Sequence, residues 1–366
     1  MKYLIYLFCL FTFWNCNKKS TDKTSQIDPD IKAYKDEVFS NIFKRNTGWI
    51  AADGAWSIAL DNGKSLWSFG DSYIDNYDVS TLTVPCLFQV RNSALTIDNQ
   101  NPQNQTLLLG TLSPKSFYKN SNDNKVWLWG GNGYQEKDTV YVFLSEFSQT
   151  GTGVFDVGFN KNLIVKLNPS SMKTYTYQNL SNSLGIDFGC GVIKEEQYVY
   201  IYGSKRVNAL SNELYLARYQ GFVPKNWQYF DGSNWVTDIS KIKAIDNRIE
   251  NYSIQKIEKN YVKVFSDLST KCNEGKKIYF QTALKPEGPF SIKKELWQVD
   301  DKEQGNSPVF YQAHLHPQMI NAKNEILLTY CINGYSPCVV SCQNNRFNPE
   351  FYRPRGIRIP IEIFKN

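Results

Sequence analysis

Apolar and polar residues alternate in short runs along most of this chain, and the runs come in pairs. The clearest pair is Ala55–Leu60 with Leu66–Phe69, separated by Asp61-Asn62-Gly63. Asn-Gly between two alternating apolar runs marks a tight hairpin, because both central turn residues must accept positive φ. Four later pairs repeat the pattern: Val126–Gly131 with Val140–Glu146, Gly189–Lys194 with Tyr198–Gly203, Tyr252–Ile257 with Tyr261–Ser266, and Gln312–Ile320 with Ile326–Ile332. The second strands begin at Leu66, Val140, Tyr198, Tyr261 and Ile326, at steps of 74, 58, 63 and 65 residues. Further strand-like runs, such as Asn162–Leu167, Leu214–Tyr219 and Lys277–Ala283, lie between them. No run longer than about a turn reads as an amphipathic helix.

Four strands per unit, arranged radially, make a β-propeller, in which closure protects the sheet edges. The expected fold is therefore all-β, a five-bladed β-propeller, with a last strand near Arg358–Phe364 helping to close the first blade. A pair of β-sandwiches is the competing arrangement, but it does not account for five roughly even units.

The start of the chain has a different pattern. Met1-Lys2 precedes the apolar run Tyr3 to Trp14, then Asn15-Cys16 and a polar segment. A charged start, a short apolar core and an abrupt polar switch describe a secretory signal, too short to span a bilayer. A cysteine at the switch looks like the lipid-modified first residue of a bacterial lipoprotein. An ordinary signal peptide with a chance cysteine is the alternative. The expected division is a signal over 1–16 with lipidated Cys16, a solvated polar tether over 17–38, and one propeller domain over 39–366.

Composition adds to the strand reading, with 23 Tyr, 22 Phe and 9 Trp in 366 residues, an enrichment typical of sheet. The net charge of +6 is spread along the chain without a basic block, which argues against nucleic acid as a partner. Beyond Cys9 and Cys16, six cysteines remain: Cys86, Cys190, Cys272, Cys331, Cys338 and Cys342. An exported chain permits disulfides, and the close group Cys331, Cys338 and Cys342 is expected to hold one. Zinc would need a fourth ligand and Cys-x-x-Cys spacing, which is absent.

Several segments occur in one order: Trp49–Asp71, Arg91-Asn92-Ser93-Ala94-Leu95, Tyr200-Ile201-Tyr202-Gly203, Leu214–Arg218 with Trp227–Gly232, Pro286–Phe290, His314-Leu315-His316-Pro317 and Tyr352–Arg355. Together they resemble a bacterial family catalogued as domain of unknown function 5005, and its relative, domain of unknown function 4185, over most of residues 45 to 365. These families are similar to the five-bladed propellers of the arabinanase, fructosidase and levansucrase clans, and some relatives of the second act on arabinan. The resemblance implies a carbohydrate role. It also implies a general base at Asp53, where arabinanase-like enzymes place one at the start of the first channel-lining strand.

The residues offer further candidates. Asp71 ends the second strand of the first hairpin, which brings it toward Asp53 at one rim. Glu146 ends an apolar strand of the second unit, and Asp187 opens the third. Paired carboxylates over an aromatic surface are what glycoside hydrolysis requires. Each also has a plain structural reading, as a turn, cap or strand-end residue. Trp129, followed by Gly130-Gly131-Asn132-Gly133, is the best stacking platform, with Asn132 beside it. His314 and His316, the two histidines, face one way from the fifth unit. His314 is a candidate ligand contact, and a central cation near either ring is compatible with the pattern, as is a structural role in the core. No cofactor is otherwise called for. Arg353 is placed either to grip a sugar or to pin the closure by pairing with a carboxylate of the first unit.

Two functions survive. One is a lipid-anchored glycoside hydrolase, exported to the outer membrane, acting as a monomer on a poly- or oligosaccharide. The other is a non-catalytic glycan-binding propeller. A purely structural or partner-binding propeller is weaker. The missing Trp-Met-Asn-Asp-type nucleophile motif argues against a fructosidase.

Overall fold

The computed structural model describes residues 32–365, apart from 112–114, 153–155, 181–183, 209–210, 250–251, 268–275, 303–304, 306, 337–338 and 341. The protein is all-β. All five expected hairpins form, each from two antiparallel strands, three of them with a shift of register along the pair. In the first, Trp56 pairs with Ser68 and Ala59 with Ser65, and the turn between them carries Gly63 at φ +77°.

Among the described residues, five sheets have four or more strands. The first sheet runs Trp56–Ala59, Lys64–Phe69, Ser93–Asp98 and Gln105–Leu108; the second, Val126–Glu136, Thr139–Gln149, Val157–Leu167 and Thr174–Asn179. The third begins Asp187–Glu195, Tyr198–Asn208 and Ser211–Gln220, and the fourth is Tyr252–Ile257, Asn260–Ser266, Lys277–Ala283 and Lys294–Gln298. The fifth holds Val309–His316, Glu325–Asn333 and Arg355–Pro360, completed by Tyr34–Lys35 from the other end of the chain.

The first strands of successive sheets pack against one another. The ring closes where Trp56 of the first sheet packs against His314 of the fifth, with ring centroids 3.7 Å apart. This is propeller geometry. The core follows it, since apolar clusters fill the spaces between neighbouring sheets. Leu66, Leu128, Val142 and Leu163 join the first sheet to the second, and Phe143, Ile164, Phe188 and Ile201 the second to the third. Tyr202, Leu216, Ile254 and Tyr261 join the third to the fourth; Val264, Phe280, Leu315 and Leu328 join the fourth to the fifth. A short helix, Glu37–Asn41, and the residues after it place Phe39 and Phe43 against Trp67, Phe69 and Leu327, between the fifth sheet and the first.

Three expectations change. The closing strand is not a C-terminal strand in the first blade: Arg355–Pro360 is an inner member of the fifth sheet, and Tyr34 pairs with its Arg358. Residues 34–38, read as tether, therefore belong to the fold. The disulfide joins Cys342 to Cys86, 256 residues away. Cys331 is free and buried, because its strand lies inside the fifth sheet, whereas Cys342 sits in a hairpin that pairs with Val84–Pro85. Cys272, Cys338, Cys16 and the leader lie outside the described residues.

Candidate active site

Four of the five inner strands are irregular at one level. Between Asp53 and Trp56, between Gly130 and Gly133, and between Tyr311 and His314, the inner strand carries one residue more than its partner; between Phe188 and Gly191 it carries two. Such bulges re-aim side chains and are common beside active sites. Gln312, held at φ +54° in the fifth strand's bulge, accepts a hydrogen bond from the Gly54 amide at 3.0 Å. Gly131 and Gly189 let the second and third inner strands approach closely, since a Cβ on Gly131 would lie 2.9 Å from the Gly189 carbonyl oxygen. Gly130–Gly133 is thus bulged strand and not an open loop.

Asp53 stands at this level. It is partly exposed yet crowded by protein, and its Oδ2 accepts from the Tyr311 hydroxyl at 2.9 Å. Burial pushes its carboxyl up, while hydroxyls of Tyr311 and Tyr352 act in the opposite sense. The Gly70 amide donates to the Asp53 carbonyl at 2.9 Å, so Asp71, the next residue, lies beside it. The space between is tight: a Cβ on Gly70 would come 2.3 Å from Asp53 Oδ1 and 3.8 Å from Trp129 Cδ1. Asp71 is pushed up to about 8, first by burial and then by the charge of Asp53, with Arg91 opposing. Arg91 Nη1 reaches Asp71 Oδ2 at 3.3 Å. The Trp129 indole N–H is turned toward Asp71 and favours its ionised form without forming a good hydrogen bond. Asp71 Oδ1 and Trp129 Nε1 both stay buried without one.

A cavity of about 550 Å³ opens next to this pair, with Trp56, Trp129, Phe147 and Phe159 among its aromatic walls and Asp187 and His314 among its polar ones. Asp187 Oδ1 accepts from Ser145 Oγ at 2.5 Å and Asn162 Nδ2 at 2.7 Å. Burial raises its carboxyl against those two donors. His314 is buried, and neither ring nitrogen has a well-formed hydrogen bond. Burial pulls it down to about 3, with the Gly54 carbonyl opposing, so the ring is neutral. A neutral imidazole, an indole N–H and a carboxyl raised by burial around an aromatic-walled cavity can bind a hydroxylated ligand and move protons on it.

The other candidates lie elsewhere. Glu146 alternates with Ser145 and Phe147, which line the cavity, and so points to the strand's other face. There it accepts from Asn120 and Asn160 and lies 3.8 Å from Lys161 Nζ; it is a wall residue. Asn132 is buried and bridges three sheets, donating to the Cys190 carbonyl and accepting from Gln255. Arg353 is also buried. It donates to the carbonyls of Ile50 and Arg45 and pairs with Glu350, so it pins the chain ends together and does not grip a sugar. Its carboxylate comes from its own segment, not from the first unit. His316 is hydrogen-bonded to Ser57 and Thr329 and stacks on Trp67, a structural role. Among the described residues no group of three or more His, Cys, Asp or Glu side chains is arranged to hold a metal ion.

Sequence reasoning missed Arg91, Tyr311, Gln312, Ser145 and Asn162. Ser145 was legible through alternation, as the cross-strand partner of Trp129. Tyr311 and Gln312 were not, because their contacts cross from the fifth sheet to the first.

The family model described as Domain of unknown function (DUF5005) matches residues 36–361. The chain belongs to this family. No curated protein matches it by sequence. A crystal structure from Bacteroides ovatus, of a protein assigned provisionally as a hydrolase, is similar at TM-score 0.72 and 17% identity, covering 93% of this chain and 97% of that one. That likeness is one of fold. An α-L-arabinofuranosidase from Lactobacillus brevis matches at TM-score 0.48 and 10% identity over 89% of this chain and 92% of that one.

Proposed function

We propose that this DUF5005 protein is a glycoside hydrolase whose substrate, a poly- or oligosaccharide, lies in the cavity between the Asp53–Asp71 pair and Asp187. One observation carries the reading. At the bulged level of the inner strands Asp187 lines an aromatic-walled cavity, two of whose other walls, Trp129 and Gln312, adjoin Asp71 and the Gly54 amide next to Asp53, and burial raises all three carboxyls. Hydrolysis needs one ionised carboxylate to take a proton from water as its oxygen attacks the anomeric carbon. It needs a second, protonated carboxyl to give its proton to the departing glycosidic oxygen. Raised carboxyls suit the second task at neutral pH. Trp56 and Trp129 offer the flat faces on which sugar rings stack, and the neutral His314 can hydrogen-bond a hydroxyl. The five large sheets are read as five blades. We also assign the export and membrane anchoring to a lipid at Cys16, on the strength of the apolar run that ends there.

The test is a screen of purified protein against arabinans and other plant and host glycans, with Asp53→Asn and Asp187→Asn alongside. Reducing-sugar release by the wild type, lost in both variants, supports the hydrolase. Binding without release, unchanged by either substitution, identifies a glycan-binding module instead. Metabolic labelling with a fatty-acid analogue that marks the wild type but not Cys16→Ala supports the anchor, and an unlabelled wild type overturns it.

A further inference from the structure

Asp53 and Asp71 are two neighbouring acids with, among the described residues, a single cation in contact. Asp53 comes from the turn before the first inner strand, Asp71 from the end of that strand's partner, and Gly70 spaces them. The groups facing them are few. Tyr311 comes from the fifth sheet's inner strand, Cys331 from the strand beside it, Tyr352 from the short helix Pro349–Tyr352, and Arg91 from the segment before Ser93–Asp98. Among these Arg91 alone is cationic, and it is held flat. Its guanidinium carbon lies 4.0 Å from the Trp127 ring centroid and 4.9 Å from that of Phe88.

Arg91 meets Oδ2 of Asp71 and leaves Oδ1 buried without a donor. An ionised oxygen in that position would have no well-formed hydrogen bond, only the poorly aligned Trp129 N–H, which is costly. Protonation removes the charge that these surroundings leave uncompensated.

We propose that Asp53 and Asp71 share one proton, that Asp71 carries it, and that Arg91, clamped between Trp127 and Phe88, is the positioning residue that holds Asp71 with its protonated oxygen free. This rests on the hydrolase reading only for its use: Asp71 then gives that proton to the leaving oxygen, and the resulting carboxylate pairs with Arg91. The sharing itself needs no substrate. Two like charges this close cannot both form without a large penalty, so the pair titrates as a unit.

Carboxyl NMR of the full chain carrying ¹³C-labelled Asp tests it without any glycan. In the wild type, Asp71 should titrate near or above neutrality, in a curve coupled to that of Asp53. Asp53→Asn should move the Asp71 titration down by about one pH unit or more, and Arg91→Gln should move it up, the directions expected from removing a like and an opposite charge. A wild-type Asp71 that titrates near 4, or one unmoved by Asp53→Asn, overturns the proposal. Should Arg91→Gln fail to fold, the wild type and Asp53→Asn decide the matter. Absence of turnover on every glycan would overturn the hydrolase reading while leaving these titrations as they are. If turnover is found, Arg91→Gln should shift the alkaline limb of the kcat profile upward with little change in KM.

Discussion

At the residue scale, the site is a set of acids placed where water is scarce. Asp71 offers the sharpest consequence. Its carboxyl is raised to about 8, so the folded protein holds a proton that the unfolded chain releases near pH 4. The contribution to stability is fully present below about pH 4 and is lost as pH rises toward about 8. Denaturant melts between pH 4 and 8 should therefore show a falling component that Asp71→Asn removes; an identical slope in the variant would contradict the raised carboxyl. Asp53 makes a kinetic prediction. Asp53→Asn should lower turnover by about a hundredfold or more, the usual size of general acid–base catalysis, with the melting temperature nearly unchanged. A variant that mainly melts early would mark Asp53 as a turn residue.

At the element scale, hairpins place the acids and bulges aim them. The first hairpin is written in Asp61-Asn62-Gly63, and the structure forms it, with Gly63 alone of the three at positive φ. The bulge just before it is what lets Asp53 and Gly70 meet. Gly70→Ala tests this junction, because its new Cβ would fall 2.3 Å from Asp53 Oδ1 and the Tyr311 hydroxyl holds that carboxyl from the other side. We expect a loss of about 1–3 kcal/mol, typical of overpacking, together with loss of turnover. Full activity in Gly70→Ala would mean that the carboxyl moves freely and is not positioned by the bulge. Alternation also separates two neighbours on one strand. Ser145 faces the cavity and Glu146 the wall, since adjacent strand residues point to opposite faces.

At the scale of the whole molecule, the chain's two ends are fastened in one place. Tyr34–Lys35 completes the fifth sheet, Asp36 pairs with Arg358 at 2.7 Å, and Arg353 reaches the carbonyls of Arg45 and Ile50. Deleting residues through Asn41 removes that strand and Phe39 from the space between the fifth and first sheets. It should broaden and lower the urea transition; a deletion that unfolds as cooperatively as the full chain would show that the fastening is dispensable. The Cys86–Cys342 bond adds a second closure across 256 residues. Replacing both cysteines by Ala should cost about 2–5 kcal/mol, in line with removal of native disulfides elsewhere.

The sequence alone determined the all-β class, the five hairpins and their order, and the neighbourhood of Asp53 and Asp71. These follow from local periodicity and turn chemistry, which act over a few residues and are written in consecutive positions. Only the tertiary structure decided which strand closes the fold, which cysteines pair, and that Arg91, Tyr311 and Gln312 gather around the Asp53–Asp71 junction while Glu146, Asn132 and Arg353 lie elsewhere. Those outcomes depend on contacts between residues as far apart as Asp53 and Tyr311. A ring brings such residues together through the packing of whole sheets, and no local pattern in the chain records which faces will meet.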